Sequence, residues 1–488
     1  MYCNLLSTPR GLAMICAVVL GMLPSISLSA AELHVGVATT SITPDEPVAL
    51  SGHMRTRIAT KVSSPCTASA LALETRDGDQ VLDQAIMVSC DLIAIRETVL
   101  DEVRERVQKL LPDFDVNKIV LNATHTHTAP VMRQHTYALP AEGVMQPTDY
   151  VEFLADRVAE IAAKAWESRD IGSVGWGLGH AVVAQNRRVV YKNGAAKMYG
   201  NANHPDFRAI EGYEDQDVNV LCFWDKNDKL IGTTVNIACP SQEVEGRPSV
   251  DADFWHQVRL SLRAKHGEDL VVLGWTGAAG DQAPRLMYNK AAEERMRKLR
   301  GLDRLEEIAR RIVNGWEEAY AGASQERHTD VPLVHQVQTV SLPERMVTEQ
   351  EAERLKAAVA VSAKDPKLFR KMTWQQTVLD RYERQQSGKL TPYQMELHTI
   401  RLGDIAIATN DFELFTDFGI QMKARSPALQ TFVIQLTGPG FYIPSERAQR
   451  GGGYSAIIES NLVGYKGGQV LTDLTVDALK ELWTSDSK

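Results

Sequence analysis

Two histidines separated by one residue, His125 and His127, follow the apolar run Ile119-Val120-Leu121. Side chains alternate along a strand with period two, so both imidazoles are predicted to point to one side of a sheet at a strand's carboxyl end. Neutral imidazole is a common ligand for zinc and similar metals, and a strand end holds two such rings rigidly. The spacing therefore favours a metal site. The alternative is that one ring packs locally while the other is solvated.

Three further segments place polar groups directly after apolar strands or between glycines and prolines. Asp281 follows the apolar run that ends at Leu273, among small residues that let backbone approach a ligand. Glu413 follows the apolar run 405–408, and we place it at the start of a helix, as a metal ligand, a general base or a helix charge. Tyr442 lies in a glycine- and proline-rich loop. The alternatives are an ordinary turn at Asp281 and rim packing at Tyr442.

Together these segments resemble the neutral, non-lysosomal ceramidase family, and the resemblance covers nearly the whole chain after residue 31. The stretches that carry it are Val35-Gly36-Val37-Ala38, Asn122-Ala123-Thr124-His125-Thr126-His127-Thr128-Ala129-Pro130, Gly280-Asp281-Gln282-Ala283-Pro284, Phe412-Glu413-Leu414-Phe415-Thr416 and Phe441-Tyr442-Ile443-Pro444-Ser445. The second stretch resembles the family's T-H-T-H-S-x-P motif, which is quite specific. Asn186-Arg187 is similar to an N-R segment of the family.

The resemblance implies a zinc-dependent amidase that splits the N-acyl bond of ceramide into a fatty acid and a sphingoid base. Family members bind one zinc ion per chain through two histidines, a glutamate and a tyrosine. Carried over by motif, His125, Glu413 and Tyr442 are the matching metal ligands, and His127 lines the site. Arg187 is then expected to contact the substrate's carbonyl or carboxylate.

Two positions depart from the family's pattern. Where the family has A-x-H-P, this chain reads Ala238-Cys239-Pro240, so Cys239 aligns with the second histidine. Thiolate is a good zinc ligand, and Asp253 or His256 could equally complete the set. Ala283 stands where the family has a serine, so no serine nucleophile is available there.

These residues predict hydrolysis by a metal-activated water without a covalent intermediate. His127 or Asp281 would carry the proton to the leaving amine, and Tyr442 or Arg187 would steady the oxyanion. One alternative keeps the metal and changes the substrate to another amide, an ester or an acylated glycan. The other alternative is a non-catalytic binding protein with the same fold.

The elements that must position these residues alternate between strands and helices. This pattern predicts an α/β (mixed α+β) fold, with one large domain of mixed β-sheets flanked by helices. The elements predicted are strands at 33–39, 68–73, 81–88, 172–183, 218–224, 232–238, 270–273, 395–401 and 404–409, and helices at 93–111, 149–168, from about 253, 290–321 and from Thr348. Thr348 and Glu351 form a predicted capping box.

The composition of the 488 residues limits the classes of molecule that the protein is expected to bind. The net charge is −9 with both signs spread along the chain, and no basic stripe is present, so nucleic-acid binding is excluded. After Tyr442 we expect no further immunoglobulin-like domain, which needs about 100 residues. The predicted partner is a small-molecule or lipid N-acyl substrate.

The amino terminus has the layout of a secretory signal. Arg10 precedes an apolar run, and small residues follow up to Ala31, so residues 1–30 are predicted to be a signal peptide and 31–488 the catalytic domain. The mature protein is expected to be secreted or periplasmic, with no transmembrane segment. Cys66, Cys90, Cys222 and Cys239 remain after the signal, and a disulfide among them is possible but not required. For Cys66, Cys90 and Cys222 a small buried residue is the favoured state.

Overall fold

The computed structural model describes residues 31–96 and 98–484. The signal peptide predicted for residues 1–30 therefore lies outside the described residues. In chain order the strands are Glu32–Ser41 (β1), Val48–Ala49 (β2), Ile58–Ala59 (β3), Thr67–Asp77 (β4), Gln80–Cys90 (β5), Ile119–Ala123 (β6), Asp170–His180 (β7), Gln185–Asn186 (β8), Arg188–Tyr191 (β9), Ala196–Met198 (β10), Phe207–Ile210 (β11), Asp217–Asp225 (β12), Leu230–Ile237 (β13), Val271–Thr276 (β14), Gln282–Ala283 (β15), Leu333–Leu342 (β16), Tyr393–Leu402 (β17), Ile405–Thr409 (β18), Glu413–Leu414 (β19), Gln430–Ile434 (β20) and Tyr442–Ile443 (β21).

The α-helices fall between these strands. They are Val99–Leu110 (α1), Pro147–Glu167 (α2), Phe254–His266 (α3), Lys290–Leu299 (α4), Arg304–Ala323 (α5), Glu349–Ser362 (α6), Phe369–Gln386 (α7), Thr416–Arg425 (α8), Glu446–Gly451 (α9) and Tyr465–Thr484 (α10). None of the helices in the described part of the chain combines the length and the hydropathy needed to cross a bilayer.

Two mixed sheets face each other across the centre of the molecule. The larger has eight strands in the order β14-β13-β12-β7-β1-β4-β5-β6, and the smaller has four in the order β16-β17-β18-β20. Parallel pairs occur at β13–β14, β5–β6 and β18–β20, and the other pairs within these two sheets are antiparallel. A cluster of buried residues from both sheets, including Leu71, Leu273, Ile407 and Phe432, fills the space between them.

The period-two pattern of the strands explains why helices cover the outer face of the large sheet. In β4, Leu71 and Leu73 point into the space between the sheets, whereas Ala68, Ala70 and Ala72 belong to the cluster beneath α1 and α2. Residues of α3 and α5 cover β12 and β13 in the same way. The predicted fold class is therefore confirmed, as a sheet pair with helices on its outer sides.

Local sequence signals set several boundaries. Thr348 and Glu351 form the predicted capping box at the start of α6, with both reciprocal hydrogen bonds present. The single helical region predicted for 290–321 is wrong in detail, because it is divided into α4 and α5. The break falls at Gly301 (φ +69°) and Asp303, which caps α5.

The four cysteines of the described residues, Cys66, Cys90, Cys222 and Cys239, are unpaired and buried. The first three behave as the small buried residues that were expected. Burial raises the pKa of the Cys66 thiol well above its usual range, which is typical of an inert structural cysteine.

The loops that follow the carboxyl ends of β6, β13, β14, β18 and β20 meet at one edge of the two sheets. Backbone hydrogen bonds join them: Ser241 N donates to Thr124 O, Gln435 N to Thr276 O, and Ala123 N to Leu436 O. Ligand sites in open α/β sheets tend to lie at such edges. His125, His127, Cys239, Asp281, Glu413 and Tyr442 lie on the segments that follow these strands.

Candidate active site

The two histidines of the H-x-H motif lie side by side, but not for the reason predicted. Strand β6 ends at Ala123, so both residues are in the following loop rather than at a strand end. His125 has φ +68°, a left-handed conformation that turns the chain. The two Nε2 atoms lie 3.4 Å apart. The alternation argument is thus wrong, and a strained loop residue brings the rings together instead.

His125 is prepared to act as a ligand through Nε2. Its Nδ1 donates to the carbonyl oxygen of Ile93 at 2.6 Å, and a carbonyl can only accept, so Nδ1 carries the proton. Nε2 is the ring nitrogen that faces Glu413 Oε2, at 3.1 Å, and it would offer its lone pair to a cation bound between them. A histidine that donates its second ring N–H to a backbone carbonyl is the usual arrangement for a metal ligand.

Glu413 and Tyr442 are neighbours across a two-residue parallel sheet. Strands β19 and β21 pair Glu413 directly with Tyr442, and the Tyr442 phenol is close enough to the Glu413 carboxylate to favour its charged form and help lower its pKa. Glu413 was expected at the start of a helix. That expectation is wrong, because the residue is in β19 and α8 begins at Thr416. Burial opposes its charge, but the adjacent His125 lowers the pKa of Glu413, so the carboxylate stays ionised.

Arg187 lies beneath this pair and is buried. Its guanidinium donates to the Tyr442 hydroxyl at 3.1 Å, to Gln242 Oε1 at 3.0 Å and to the Gly280 carbonyl oxygen at 2.9 Å. Burial disfavours its charge, yet the neighbouring tyrosines and Glu413 raise the pKa of Arg187 well above its usual range. A permanent cation therefore faces the phenol of Tyr442.

Gln242 links Arg187 to His127, and it was missed from the sequence. Its Oε1 accepts from Arg187, so its amide nitrogen faces His127 and donates to Nε2 at 2.8 Å. Gln242 lies three residues after Cys239, the residue that aligns with the family's second histidine. An amide is a weak metal ligand compared with thiolate, carboxylate or imidazole, so its residue type carries no signal of a metal site.

The three residues considered as replacement ligands have other surroundings. The Cys239 thiol belongs to the hydrophobic cluster under α3 and α5, and burial raises its pKa well above the usual range. Asp253 caps α3 by accepting from Phe254 N at 2.8 Å, and its second oxygen accepts from Val244 N at 2.8 Å. His256 lies within α3. Metal binding by Cys239 stays a prediction from sequence.

Asp281 is placed below Arg187 rather than in the cavity. One carboxylate oxygen accepts from the Asn186 amide at 2.7 Å, and the other accepts from Thr416 N at 3.0 Å and from the Thr416 hydroxyl at 2.8 Å. Its backbone oxygen accepts from Arg187 N at 2.8 Å. Ala283 is buried in β15. Asp281 thus ties β8, which precedes Arg187, to the start of α8.

A second group of potential ligands lies on the other side of His127, and no sequence motif predicted it. The ligand atoms of His53, His127 and Glu245 all lie within 4.8 Å of one another. His127 Nδ1 is 3.3 Å from Glu245 Oε2. The three residues come from loops far apart in the chain, and no local motif connects them.

A cavity of about 360 Å³ opens onto both groups. His53, His125, His127, Glu413 and Tyr442 form part of its lining, and helix α7 forms one wall. Five arginines also line it, namely Arg96, Arg133, Arg370, Arg381 and Arg384. The carboxylates of the lining are Asp380, Glu413 and Glu459, and Glu459 is held by Arg354 at 2.8 Å.

The donors fit a divalent cation of the zinc class. His125 Nε2 and Glu413 Oε2 point at each other across 3.1 Å, and Tyr442 adds a third oxygen beside them. Imidazole nitrogen and carboxylate oxygen are the usual ligands of catalytic zinc. The arrangement can bind a Lewis acid next to a fixed guanidinium and a second imidazole.

No family model matches the chain, and no curated protein matches it either. Among solved structures, the chain is similar to neutral ceramidase from Pseudomonas aeruginosa, with a TM-score of 0.68 and 18% sequence identity, covering 92% of this chain and 74% of that one. It is also similar to a ceramidase complexed with C2, with a TM-score of 0.66 and 16% identity, covering 92% of this chain and 76% of that one. The predicted resemblance to neutral ceramidases is confirmed at the level of the fold. Activity has to be argued from the side chains.

Proposed function

We propose that this protein is a metal-dependent hydrolase of an N-acyl amide bond, with ceramide-like lipids as the first substrate class to consider. The observation that carries the proposal is the convergence of His125, Glu413 and Tyr442 at the floor of a cavity in a ceramidase-like fold. These are the three positions that match the family's ligand motif. A buried imidazole and a buried carboxylate that meet in the lining of a cavity are typical of a functional site.

The proposed cation site is held by His125 Nε2 and Glu413, with the Tyr442 oxygen beside them. A zinc ion bound there would polarise the acyl carbonyl and lower the pKa of a water molecule to roughly 7. Arg187 and Tyr442 would stabilise the negative charge that develops on the carbonyl oxygen. Arg187 suits this role because it is buried and is already fixed by Gln242 and Gly280.

His127 is the proposed proton carrier. Gln242 donates to its Nε2, and Glu245 lies 3.3 Å from its Nδ1, so the ring is oriented from both sides. The side chain of Asp281 is fully engaged by Asn186 and Thr416. We therefore propose that Asp281 positions Arg187 and is not itself the proton shuttle. Without a serine at Ala283, the proposed reaction proceeds by direct attack of water.

The test is a joint measurement of metal content and amide hydrolysis on purified protein. In the proposal, His125→Ala and Glu413→Gln each lower zinc content and reduce hydrolysis of a fluorescent ceramide by about 100-fold or more. His266→Ala is a matched control, because His266 also contacts a glutamate at 3.3 Å and does not belong to the lining of the cavity. Unchanged hydrolysis in the His125 variant would overturn the proposal.

The arginines of the cavity favour a second candidate, an N-acyl amide whose amine half carries an anion. Five arginines and three carboxylates line the space, and one of those carboxylates, Glu459, is neutralised by Arg354. Burial lowers the pKa of Arg370, and nearby Arg133 lowers it further, so a bound anion would relieve the cost of their charge. Ceramide offers no such anion at its polar end.

Paired substrates separate the two candidates. A ceramide and an N-acyl amino acid with the same acyl chain are compared by kcat/KM, in wild type and in Arg370→Gln. The anion candidate predicts that the amino-acid conjugate is favoured and that the Arg370 variant loses this preference. A preference for ceramide that the variant leaves unchanged would rule the anion candidate out.

We also propose that the enzyme acts outside the cytoplasm, because residues 1–30 have the layout of a secretory signal. Fractionation of cells that express the full chain, with amino-terminal sequencing of the product, tests this. Cleavage near Ala31 with recovery in the exported fraction is expected, and an intact amino terminus in the cytosolic fraction would refute it.

A further inference from the structure

Three side chains from three distant loops converge beside the proposed catalytic site. The ligand atoms of His53, His127 and Glu245 lie within 4.8 Å of one another. Across residues 31–96 and 98–484, no other group of three histidine, cysteine or acidic side chains meets at that spacing. His53 and His127 line the same cavity as His125 and Glu413, and Glu245 lies on the Nδ1 side of the His127 ring.

The geometry of His127 indicates that two donor sets share this ring. Nε2 lies 3.4 Å from His125 Nε2, whereas Nδ1 lies 3.3 Å from Glu245 Oε2. Nδ1 is buried, and it has no hydrogen-bond partner of adequate geometry. A buried ring nitrogen and a carboxylate that face each other at 3.3 Å are placed as two donors around a common ion would be.

A single buried arginine holds the three loops in place. The Arg57 guanidinium donates to the backbone oxygens of Ser51 at 2.5 Å, His127 at 2.6 Å and Glu245 at 2.6 Å, and also to that of Arg247 at 2.9 Å. Ser51 is two residues before His53, so each ligand-bearing loop is fixed at or next to its ligand. Preorganisation by a supporting residue distinguishes a built metal site from a chance cluster.

Gly52 allows the first loop to approach the ring. Its φ is +94°, and a Cβ atom at this position would lie 2.4 Å from His127 Cγ. Only glycine adopts this conformation without strain and leaves room for the imidazole. The close packing brings the neighbouring His53 to its position opposite Glu245.

We propose that His53, His127 and Glu245 form a second metal site, for a divalent cation of the zinc class, next to the site of His125, Glu413 and Tyr442. Two imidazoles and one carboxylate that leave a position open are a donor set of catalytic zinc. A cation bound at Nδ1 replaces the proton that this nitrogen carries while Nε2 accepts from Gln242. The proposal does not depend on which bond the enzyme hydrolyses.

The test counts zinc ions per chain. Purified protein is stripped with a chelator, dialysed against Zn²⁺ and analysed by mass spectrometry of the metal. We expect two ions in wild type, one in the double variant His53→Ala with Glu245→Gln, and one in the double variant His125→Ala with Glu413→Gln. The control is His266→Ala with Glu317→Gln, which removes a histidine–glutamate contact of the same 3.3 Å length and should keep both ions.

The outcomes separate this inference from the proposed function. If the His53 and Glu245 variant binds as much zinc as wild type, the second site does not exist. If wild type binds one ion, and only the His53 and Glu245 variant loses it, the second site stands and the His125 set is refuted. Circular dichroism verifies folding, and the single variant His53→Gln on the partly exposed loop replaces the double variant if that one fails to fold.

Discussion

The two donor sets on either side of His127 are held by different means. In the first set, Glu413 and Tyr442 are paired across β19 and β21, and His125 is fixed by its bond to Ile93. In the second set, all three ligands are on loops that the Arg57 guanidinium ties together. Backbone pairing thus positions one set and a single side chain positions the other. The first should tolerate mutation of its surroundings, and the second should depend on one residue.

The first set (His125, Glu413 and Tyr442, here called the strand-held set) is tested most severely by Glu413→Gln, which keeps the side chain's size and removes its charge. We expect hydrolysis to fall by about 100-fold or more, with loss of the ion bound at this set, because an amide is a poor replacement for a carboxylate ligand. The measurement is kcat/KM together with zinc content. Glu459→Gln is the control, since Glu459 lines the same cavity but is paired with Arg354. If both variants lose the same amount of kcat/KM and of zinc, Glu413 is not a metal ligand.

The second set (His53, His127 and Glu245, here called the loop-held set) is tested by Arg57→Gln. Four backbone oxygens lose a charged donor, so we expect the free energy of unfolding to fall by about 2–4 kcal/mol. We also expect zinc affinity at the second set to drop at least about tenfold while the strand-held set keeps its ion. Urea unfolding and zinc titration measure the two effects. Arg55→Gln removes a neighbouring exposed arginine and should change neither quantity.

Gly52→Ala probes the same loops more gently. The new methyl group would meet His127 Cγ at 2.4 Å in a backbone with φ +94°, so we expect a loss of about 1–3 kcal/mol and weaker zinc binding at the second set. Gly194→Ala is the matched control, because Gly194 also has positive φ (+81°) but open space around it. The difference between the two variants isolates the contact with His127. If Gly52→Ala and Gly194→Ala have identical free energies of unfolding, the loop at Gly52 moves away from His127 without an energetic cost.

The smallest effect on stability is expected at Glu307, a carboxylate that is paired with arginines and has no role as a metal ligand. Glu307 is buried in α5, and hydrogen bonds from Arg310 lower its pKa to about 2. In the unfolded chain the pKa of a glutamate is about 4.3. Because folding lowers this pKa, the ionised carboxylate stabilises the fold at pH values above about 4.3, and the stabilisation is lost as the pH falls towards 2. Glu307→Gln should therefore cost about 1–2 kcal/mol at pH 7 and progressively less between pH 5 and pH 2, as measured by urea unfolding. Zinc content should not change, and a change would mean that this network supports the site.

The strands and the layered architecture were largely predictable, because each strand carries a period-two or continuous apolar pattern. Thr348 and Glu351 marked a helix start correctly for the same reason, since the capping box is a local signal. The proximity of His125 and Glu413 also follows from local reasoning, because each comes after a strand and strand ends gather at one edge.

What could not be predicted depends on contacts between distant residues. His53 and Glu245 have no partner within their own segments, and their meeting depends on Arg57 bridging three loops. His125 has a left-handed backbone conformation, which histidine rarely adopts unless tertiary contacts impose it. The side chain of Gln242 faces His127 whereas the Cys239 thiol lies in the core, and a gap-free alignment of residue types carries no information on side-chain direction.

The pairing of Glu413 with Tyr442 also bears on when a cation can be acquired. Both residues belong to the last quarter of the chain, and they meet His125 only after the smaller sheet has docked on the larger one. A nascent chain therefore lacks the complete set of His125, Glu413 and Tyr442, and this proposed site cannot hold a cation before the chain has folded. Under the proposed function, zinc loading of this set would follow folding, so the free zinc concentration around the folded protein would govern the loaded fraction.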